Sequence, residues 1–437
     1  LKTIIFKLEE KPLADTRKFK SFNETFPHTA FALALSLLYP NKYNYRTKRI
    51  IFGILCLLQS IIIFWFLMYF FKCIYTLDII NLSRNLTIGV LATFFFFKFF
   101  YVYYKTEIFA DLLQTITSDL LHGNDMEEDY QEIYEEYIKF GELGQRCWIV
   151  IPILLSSQFP IYAGACMIYD SLKSDVWTRR MVHEMDLKLI EDIQYDTPYF
   201  EIIFAYHLVP CVTLASGFAG LDGSFCIATT HLRLKLKLVT HNIHRAFKDS
   251  KDKFQLIKKL KQAIRDHQAA LIFHKDLQDV YGGWLFVVFL LSSLLISMNV
   301  FQMYLSDTFQ PKYTLFAISG VVHMFTPCYF ASNVIKSSEE MSADIYREPW
   351  EDWADPMVTR LLIFMIAKSQ QTLMLTGKGM VIFNMQLFIS VLQTSYSFFT
   401  LISNKNFVQK VLLSYYIPAN FVSYDNRSFN MSPYTFP

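Results

Sequence analysis

Seven stretches of this chain are apolar over a length that matches the hydrocarbon core of a bilayer, and polar segments separate them. A core of about 30 Å needs about 20 residues of helix to cross it. The stretches are Ile50–Phe71, Leu86–Tyr104, Cys147–Tyr169, Phe200–Thr230, Gly282–Leu305, Tyr313–Val334 and Gly379–Ile402. The first is uncharged throughout and bracketed by Arg49 and Lys72; the second is rich in Phe and carries Lys98 near its end. Pro152, Pro160, Pro210 and Pro327 fall inside spans, where neighbouring helices can satisfy the backbone groups they free. No repeat relates the two halves and seven is odd, which disfavours an inverted-repeat transporter. The pattern predicts an all-α membrane protein with seven transmembrane helices.

Composition supports that reading. Of 437 residues, 53% are apolar and 18% charged, whereas a soluble domain carries about a quarter charged residues. A net charge of +2, with basic residues only at the membrane flanks, gives no ground for a nucleic-acid partner. Seven Cys without paired spacing make neither a disulfide framework nor a zinc site, and no signal peptide is expected at the start. Ten His raise the question of an enzyme. Five of them, His231, His241, His244, His267 and His274, lie in or at the edge of the segment between spans four and five, but only His241 and His244 are close in sequence. His183-Glu184 lacks the second His of a zinc-protease helix, and there is no Gly-x-Ser-x-Gly elbow. No catalytic residue, metal site or cofactor is expected.

Basic residues set orientation. With the N-terminus inside, the inside segments hold 30 Lys and Arg and the outside ones 10, though the inside segments are about twice as long. Glycosylation sequons stand at Asn23, Asn81, Asn85, Asn426 and Asn430, and all but the first fall in the first outside loop or the C-terminal tail. Both signals favour a cytoplasmic N-terminus and an extracellular C-terminus, with glycans expected at Asn81, Asn85, Asn426 and Asn430. That is the inverse of a G-protein-coupled receptor, whose span-three and span-seven signatures are also missing.

The one long outside loop, Asp170 to Tyr199, is a candidate lid. Inside, Ile257, Leu260, Ile264, Leu271 and Leu277 recur at helical spacing, so spans four and five are expected to extend as helices into the cytosol. Their stripe packs either within the chain or at a subunit interface. The acidic run Asp125, Glu127, Glu128, Asp129, Glu132, Glu135 and Glu136 lacks a calcium-loop pattern and is expected to be a solvated helix face.

The last third carries a recognisable set of motifs. Tyr346-x-x-x-Trp350 is followed by Ala367-Lys368-Ser369-Gln370-Gln371, Leu375-Thr376, glycines at 377 and 379, and a seventh span ending Thr394-Ser395-Tyr396-Ser397-Phe398-Phe399-Thr400-Leu401-Ile402. This ending resembles the C-terminal signature of insect odorant receptors, and length and loop pattern agree along the chain. Gly217–Gly223 and the Thr394–Ile402 ending are similar to moth sex-pheromone receptors. Two departures stand out: Gln371-Thr372 replaces the usual Pro, and about 35 residues follow the seventh span, where the family usually stops within a few. The resemblance implies a tuning subunit of a ligand-gated, non-selective cation channel. It would form a heterotetramer with the odorant receptor co-receptor in the plasma membrane of olfactory sensory neurons. Residues 1–49 would be a cytoplasmic tail, 50–334 the first six spans, 335–378 a cytoplasmic anchor, 379–402 the pore helix and 403–437 an extracellular tail. A gustatory receptor channel and a G-protein-coupled receptor are the competing readings.

Within that scheme, Ser390, Thr394, Ser397 and Leu401 share one face of span seven and fit a hydrated pore closed by a hydrophobic gate at Leu401, with Asn404 just beyond it. The other reading is polar glue between helices. The resemblance places a pocket for a small hydrophobic volatile in the outer halves of spans two to six. Candidates are Val90 and Phe94; Phe159, Tyr162 and Cys166; Phe204 and His207; Met298, Phe301 and Gln302; and Phe316, Ser319 and His323. His207 and His323 stand out because an ionisable group inside a span is costly and usually functional.

Overall fold

The computed structural model describes residues 17–40, 45–76, 79–174, 178–183, 187, 190–305, 311–353 and 355–403. It is helical almost throughout. After a single turn at Phe22–Thr25 come α1 (Pro27–Leu35), α2 (Tyr45–Tyr75), α3 (Ile79–Tyr104), α4 (Thr106–His122), α5 (Glu128–Ser174), α6 (Tyr199–Asp249), α7 (Lys253–Leu305), α8 (Pro311–Tyr346), α9 (Pro356–Ser369) and α10 (Met385–Ser403). Among the described residues, α2, α5, α6, α7 and α8 are long and apolar enough to cross a membrane. The other two predicted spans are also helical: α3 has an apolar run over Gly89–Tyr104, and α10 runs for 19 residues. The outward side of α2 is apolar, with Ile54, Leu57, Phe64, Leu67 and Phe71 each half or more exposed, as lipid contact demands.

Several boundaries move. Predicted loop residues Asn81 and Asn85 lie in the opening turns of α3, and Asn404, Asn426 and Asn430 fall outside the described residues. Helix α5 begins at Glu128, so the third span is the second half of a 47-residue helix. Most of the predicted start of span seven is not helix. Thr376–Gly377 (β1) and Val381–Ile382 (β2) form an antiparallel hairpin, and Met380 N–H donates to the Gly377 carbonyl. Lys378 and Gly379 both have positive φ, the geometry of a tight primed turn, and this is where glycine at 379 is needed. Gln278 holds the hairpin to α7: its Nε2 donates to the Thr376 carbonyl at 2.7 Å and its Oε1 accepts from Thr376 N–H at 2.8 Å.

The long helices define two ends. At the base, α4, α9 and the extensions of α5 to α8 pack together; at the crown, the described residues before α6 pack over the bundle. The apolar stripe of α7 packs within the chain: Leu260 and Leu277 are fully buried, and Ile257, Ile264 and Leu271 pack against the same core. The acidic run is not all solvated. Asp129 accepts from His241 Nε2 and Arg245 Nη1, each at 2.8 Å, and Glu127 also pairs with Arg245. The His residues of the base act in the same way: His231 meets Asp119 at 2.8 Å, His244 pairs with Glu348, and His274 contacts the Met374 carbonyl. Each ties its helix to a segment distant in sequence, which accounts for these histidines without metal spacing. Asp355 caps α9 by accepting from Met357 and Val358 N–H and pairs with Lys253 at the start of α7. The glycine-rich stretch of α6 serves α1. A Cβ at Gly220 would stand 2.8 Å from Leu33 N, and one at Gly223 3.0 Å from Thr29 Oγ1, so small residues let α1 lie against α6.

Candidate ligand cavity

A cavity of about 120 Å³ lies among six helices toward the crown. α2 contributes Gln59, Ile62 and Phe66; α3 contributes Leu91, Ala92 and Phe94; α5 runs along one side from Trp148 to Phe159. At 1.5 Å per residue that side is about 16 Å long. α6 adds Pro210, Cys211, Leu214 and Phe218, α7 adds Ser292, Leu295 and Asn299, and α8 adds Phe316, Ser319, Gly320 and His323. The walls are mostly apolar with a few polar groups, the usual make-up of a small-molecule site.

The described residues between α5 and α6 form the outer cover. Met181 and Leu187 are buried there with Ile62, Phe66, Phe200 and Ile203, and His183 turns inward to line the cavity. Its ring packs 5.1 Å from Phe159 and 5.4 Å from His207. Arg180 pairs with Asp170 at 3.1 Å and Lys72 with Glu191 at 3.3 Å, tying the cover to the helix ends.

Of the thirteen pocket candidates read from the sequence, Phe94, Phe159, Phe316, Ser319 and His323 line this cavity. The rest stand off it. Val90 is one position from Leu91, Met298 one from Asn299, and Phe301 and Gln302 are buried further along α7. Tyr162 is half-exposed, Cys166 partly buried, Phe204 packs in the outer cluster, and His207 is fully buried behind His183. Each residue turns a helix by about 100°, so a one-position offset moves a side chain off a wall. Gln59, Trp148, Ser156, His183, Phe218 and Asn299 were not anticipated. Ser156 Oγ, His183 Nδ1 and Asn299 Oδ1 are buried without a hydrogen-bond partner among the described residues.

Beneath the inner end lies a buried ionic group. Lys98 Nζ donates to Asp222 Oδ1 at 2.6 Å, with side-chain exposures of 1% and 2%, and His323 Nε2 stands 3.1 Å from Asp222 Oδ2. The Lys98 ammonium also lies 3.7 Å from the Phe218 ring centroid and 4.8 Å from that of Phe94, a favourable cation–π setting. A Lys in one apolar span and an Asp in another were visible in the sequence, and opposite charges in spans normally find each other.

On α10, Val391 and Ser395 are buried against α7, where Ser297 Oγ donates to the Ser395 carbonyl at 3.0 Å. Ser390, Thr394, Ser397 and Leu401 are exposed in the single chain. The hydroxyls of Ser390, Thr394 and Ser397 donate to their own helix backbone at 2.8–3.0 Å. Among the described residues these three hydroxyls thus bond their own helix rather than another.

Comparison with known proteins agrees with this architecture. The 7tm Odorant receptor family model matches residues 78–396. Odorant receptor 22b of Drosophila melanogaster is 24% identical over 189 residues, which are 43% of this chain and 47% of that protein, so the chain spans about half the length of this relative. Odorant receptor 85c of the same fly is 22% identical over 309 residues, 70% of this chain and 78% of its own. The insect olfactory receptor OR5 from Machilis hrabei in complex with eugenol superposes with a TM-score of 0.67 at 15% identity, covering 89% of this chain and 98% of that one. Another structure of the same receptor gives 0.69 at 14% identity, over 87% and 98%. At that identity the likeness is one of fold. A multi-pass membrane protein rather than an enzyme, this chain belongs to the 7tm odorant receptor family.

Proposed function

We propose that this chain is the odorant-binding, tuning subunit of a ligand-gated, non-selective cation channel, assembled as a heterotetramer with the odorant receptor co-receptor in the plasma membrane of olfactory sensory neurons. The observation that carries the reading is the covered, mostly apolar cavity among six helices, about 16 Å along α5, with polar groups at both ends. A long, thin volatile with one polar end, such as a moth sex pheromone, suits such a shape. Each buried methylene would contribute about 0.8 kcal/mol.

In this reading the base faces the cytoplasm and the crown the exterior, Asn81 and Asn85 lie on the glycosylated side, and residues 335–378 form a subunit anchor. Ile363 and Phe364 on α9, each 62% exposed, offer apolar surface for neighbouring subunits. The exposed hydroxyl stripe of α10 faces the pore, with Leu401 as the gate. A ligand filling the cavity opens the channel only through greater affinity for the open state. Because α7 lines the cavity with Ser292, Leu295 and Asn299 and also bonds α10 through Ser297, it is the element that links the two.

Two measurements test the proposal. Epitope tags at each terminus of intact cells report orientation: an accessible N-terminal tag contradicts the inverted arrangement. Whole-cell currents under an odorant panel, with and without the co-receptor, report channel function. Odorant-evoked cation current that needs both chains is the expected outcome; a response that survives on this chain alone through G-protein signalling contradicts it.

A further inference from the structure

The inner end of the cavity has a hydrogen-bonding sense of its own. His323 lines it and faces Asp222 Oδ2 at 3.1 Å through Nε2, while Asp222 Oδ1 takes Lys98 Nζ at 2.6 Å. The His323 contact has ion-pair length but lies off the axis of a hydrogen bond. A ring nitrogen this near a carboxylate carries its proton, because a lone pair there would repel the anion. Lys98 already balances Asp222, so a second cation beside it would be buried without a counter-ion. His323 is thus neutral with its proton on Nε2, and Nδ1 remains a lone-pair acceptor. Phe94, Phe218 and Trp148 pack around the ring at centroid distances of 5.2, 5.4 and 5.7 Å, which holds it against turning over.

Resting on the reading of the cavity as the odorant site, we infer that His323 selects odorants whose polar head donates a hydrogen bond, alcohols and phenols over esters and aldehydes. Lys98 and Asp222 are positioning residues that act through His323 by setting its tautomer. The head lies inward against Nδ1 and the apolar body runs toward Phe159 and Phe316. Of the other polar groups, not all are neutral to this choice. Ser156 carries a hydroxyl that rotates to donate or accept, while Asn299, whose Nδ2 donates to the Leu295 carbonyl at 2.7 Å, offers Oδ1 as a second acceptor that favours the same donor heads, so the His323→Phe comparison assigns the choice.

Cells carrying the chain and its co-receptor are challenged with straight-chain alcohols from hexanol to tetradecanol, with simple phenols, and with the matching acetates and aldehydes. At each length that activates, the alcohol is expected to act at a concentration about tenfold below its acetate, the worth of one good hydrogen bond. His323→Phe lowers alcohol sensitivity about tenfold and leaves acetate sensitivity where it was. Lys98→Met leaves Asp222 unbalanced, so His323 takes a second proton, Nδ1–H becomes a donor, and acetates and aldehydes gain on alcohols. A merely structural role for Lys98 would lower all responses together. Leu155→Trp, which fills the middle of the cavity, separates the two readings. If it silences every compound while alcohol and acetate act equally in the unaltered receptor, or keep their ratio in His323→Phe, this inference falls and the cavity reading stands. If Leu155→Trp responds normally, both fall. A response confined to esters or aldehydes also overturns the inference. Surface biotinylation accompanies each variant, and should Lys98→Met not reach the surface, the His323→Phe ratio decides.

Discussion

Lys98 and Asp222, from two different apolar spans, meet at 2.6 Å with both side chains almost wholly withdrawn from solvent. A buried pair of this kind adds little net stability over an apolar pair, but breaking it is costly because one charge is left alone. Asp222→Asn strands Lys98 and is expected to destabilise the fold by about 3–5 kcal/mol. Lys98→Met is expected to cost less, because His323, 3.1 Å from the same carboxylate, can take up the balancing charge. The double variant should recover most of the loss. Thermal unfolding of detergent-solubilised receptor, followed by size exclusion, reads the order; equal losses in the two single variants would contradict it.

A second expectation concerns the seat of α1. With a Cβ at position 220 only 2.8 Å from the Leu33 backbone nitrogen, neither side has a flexible group to yield. Gly220→Ala should therefore cost about 1–3 kcal/mol through overpacking. The same unfolding assay measures it, and an unchanged midpoint would mean that α1 moves away without cost.

Acid should loosen the base. Burial raises the Asp119 carboxyl, but the hydrogen bonds and charges of His231 and Lys235 outweigh it and hold the group at about 2. Burial lowers His267 and His274, with Lys368 adding to the first and the Met374 carbonyl opposing it in the second. For these histidines the unfolded chain takes up protons first, below about 6.5, so their contribution is complete above that pH and declines as pH falls. Asp119 follows only below its ordinary carboxylate range, as pH drops toward 2. Hydrogen exchange of α6 and α7 base peptides should speed up between pH 7 and 5, after correction for intrinsic rates; protection that rises on acidification would contradict this.

The proposed gate makes a further prediction. Leu401 is 47% exposed on the single chain, on the same face as Ser390, Thr394 and Ser397. If that face lines the pore, Leu401→Ser hydrates the narrowest apolar ring and raises current without ligand in cells that also carry the co-receptor. Unchanged leak at equal surface expression would remove Leu401 from the gate.

Position along each helix was legible in the sequence and rotation about it was not. Span length located all seven helices, and position along them alone brought Phe94, Phe159, Phe316, Ser319 and His323 to the cavity. A helix that is apolar on every side has no periodicity to show which face turns inward, so Val90 stood in for Leu91 and Met298 for Asn299. The start of span seven was lost for another reason. Gly379–Asn384 is as apolar as a span, yet Lys378 and Gly379 turn the chain back before α10 begins. The ties at the base depend on register between residues over a hundred positions apart, as with Asp119 and His231. No local pattern records that.

Whether the cavity is where an odorant acts is tested most directly by one recording. Cells expressing the co-receptor with either the unaltered chain or Leu155→Trp are matched for surface expression and exposed to an activating odorant under voltage clamp. A cation current is expected from the first and none from the second, with leak in Leu401→Ser preserved when Leu155→Trp is added. An undiminished odorant current with the cavity filled would contradict that expectation.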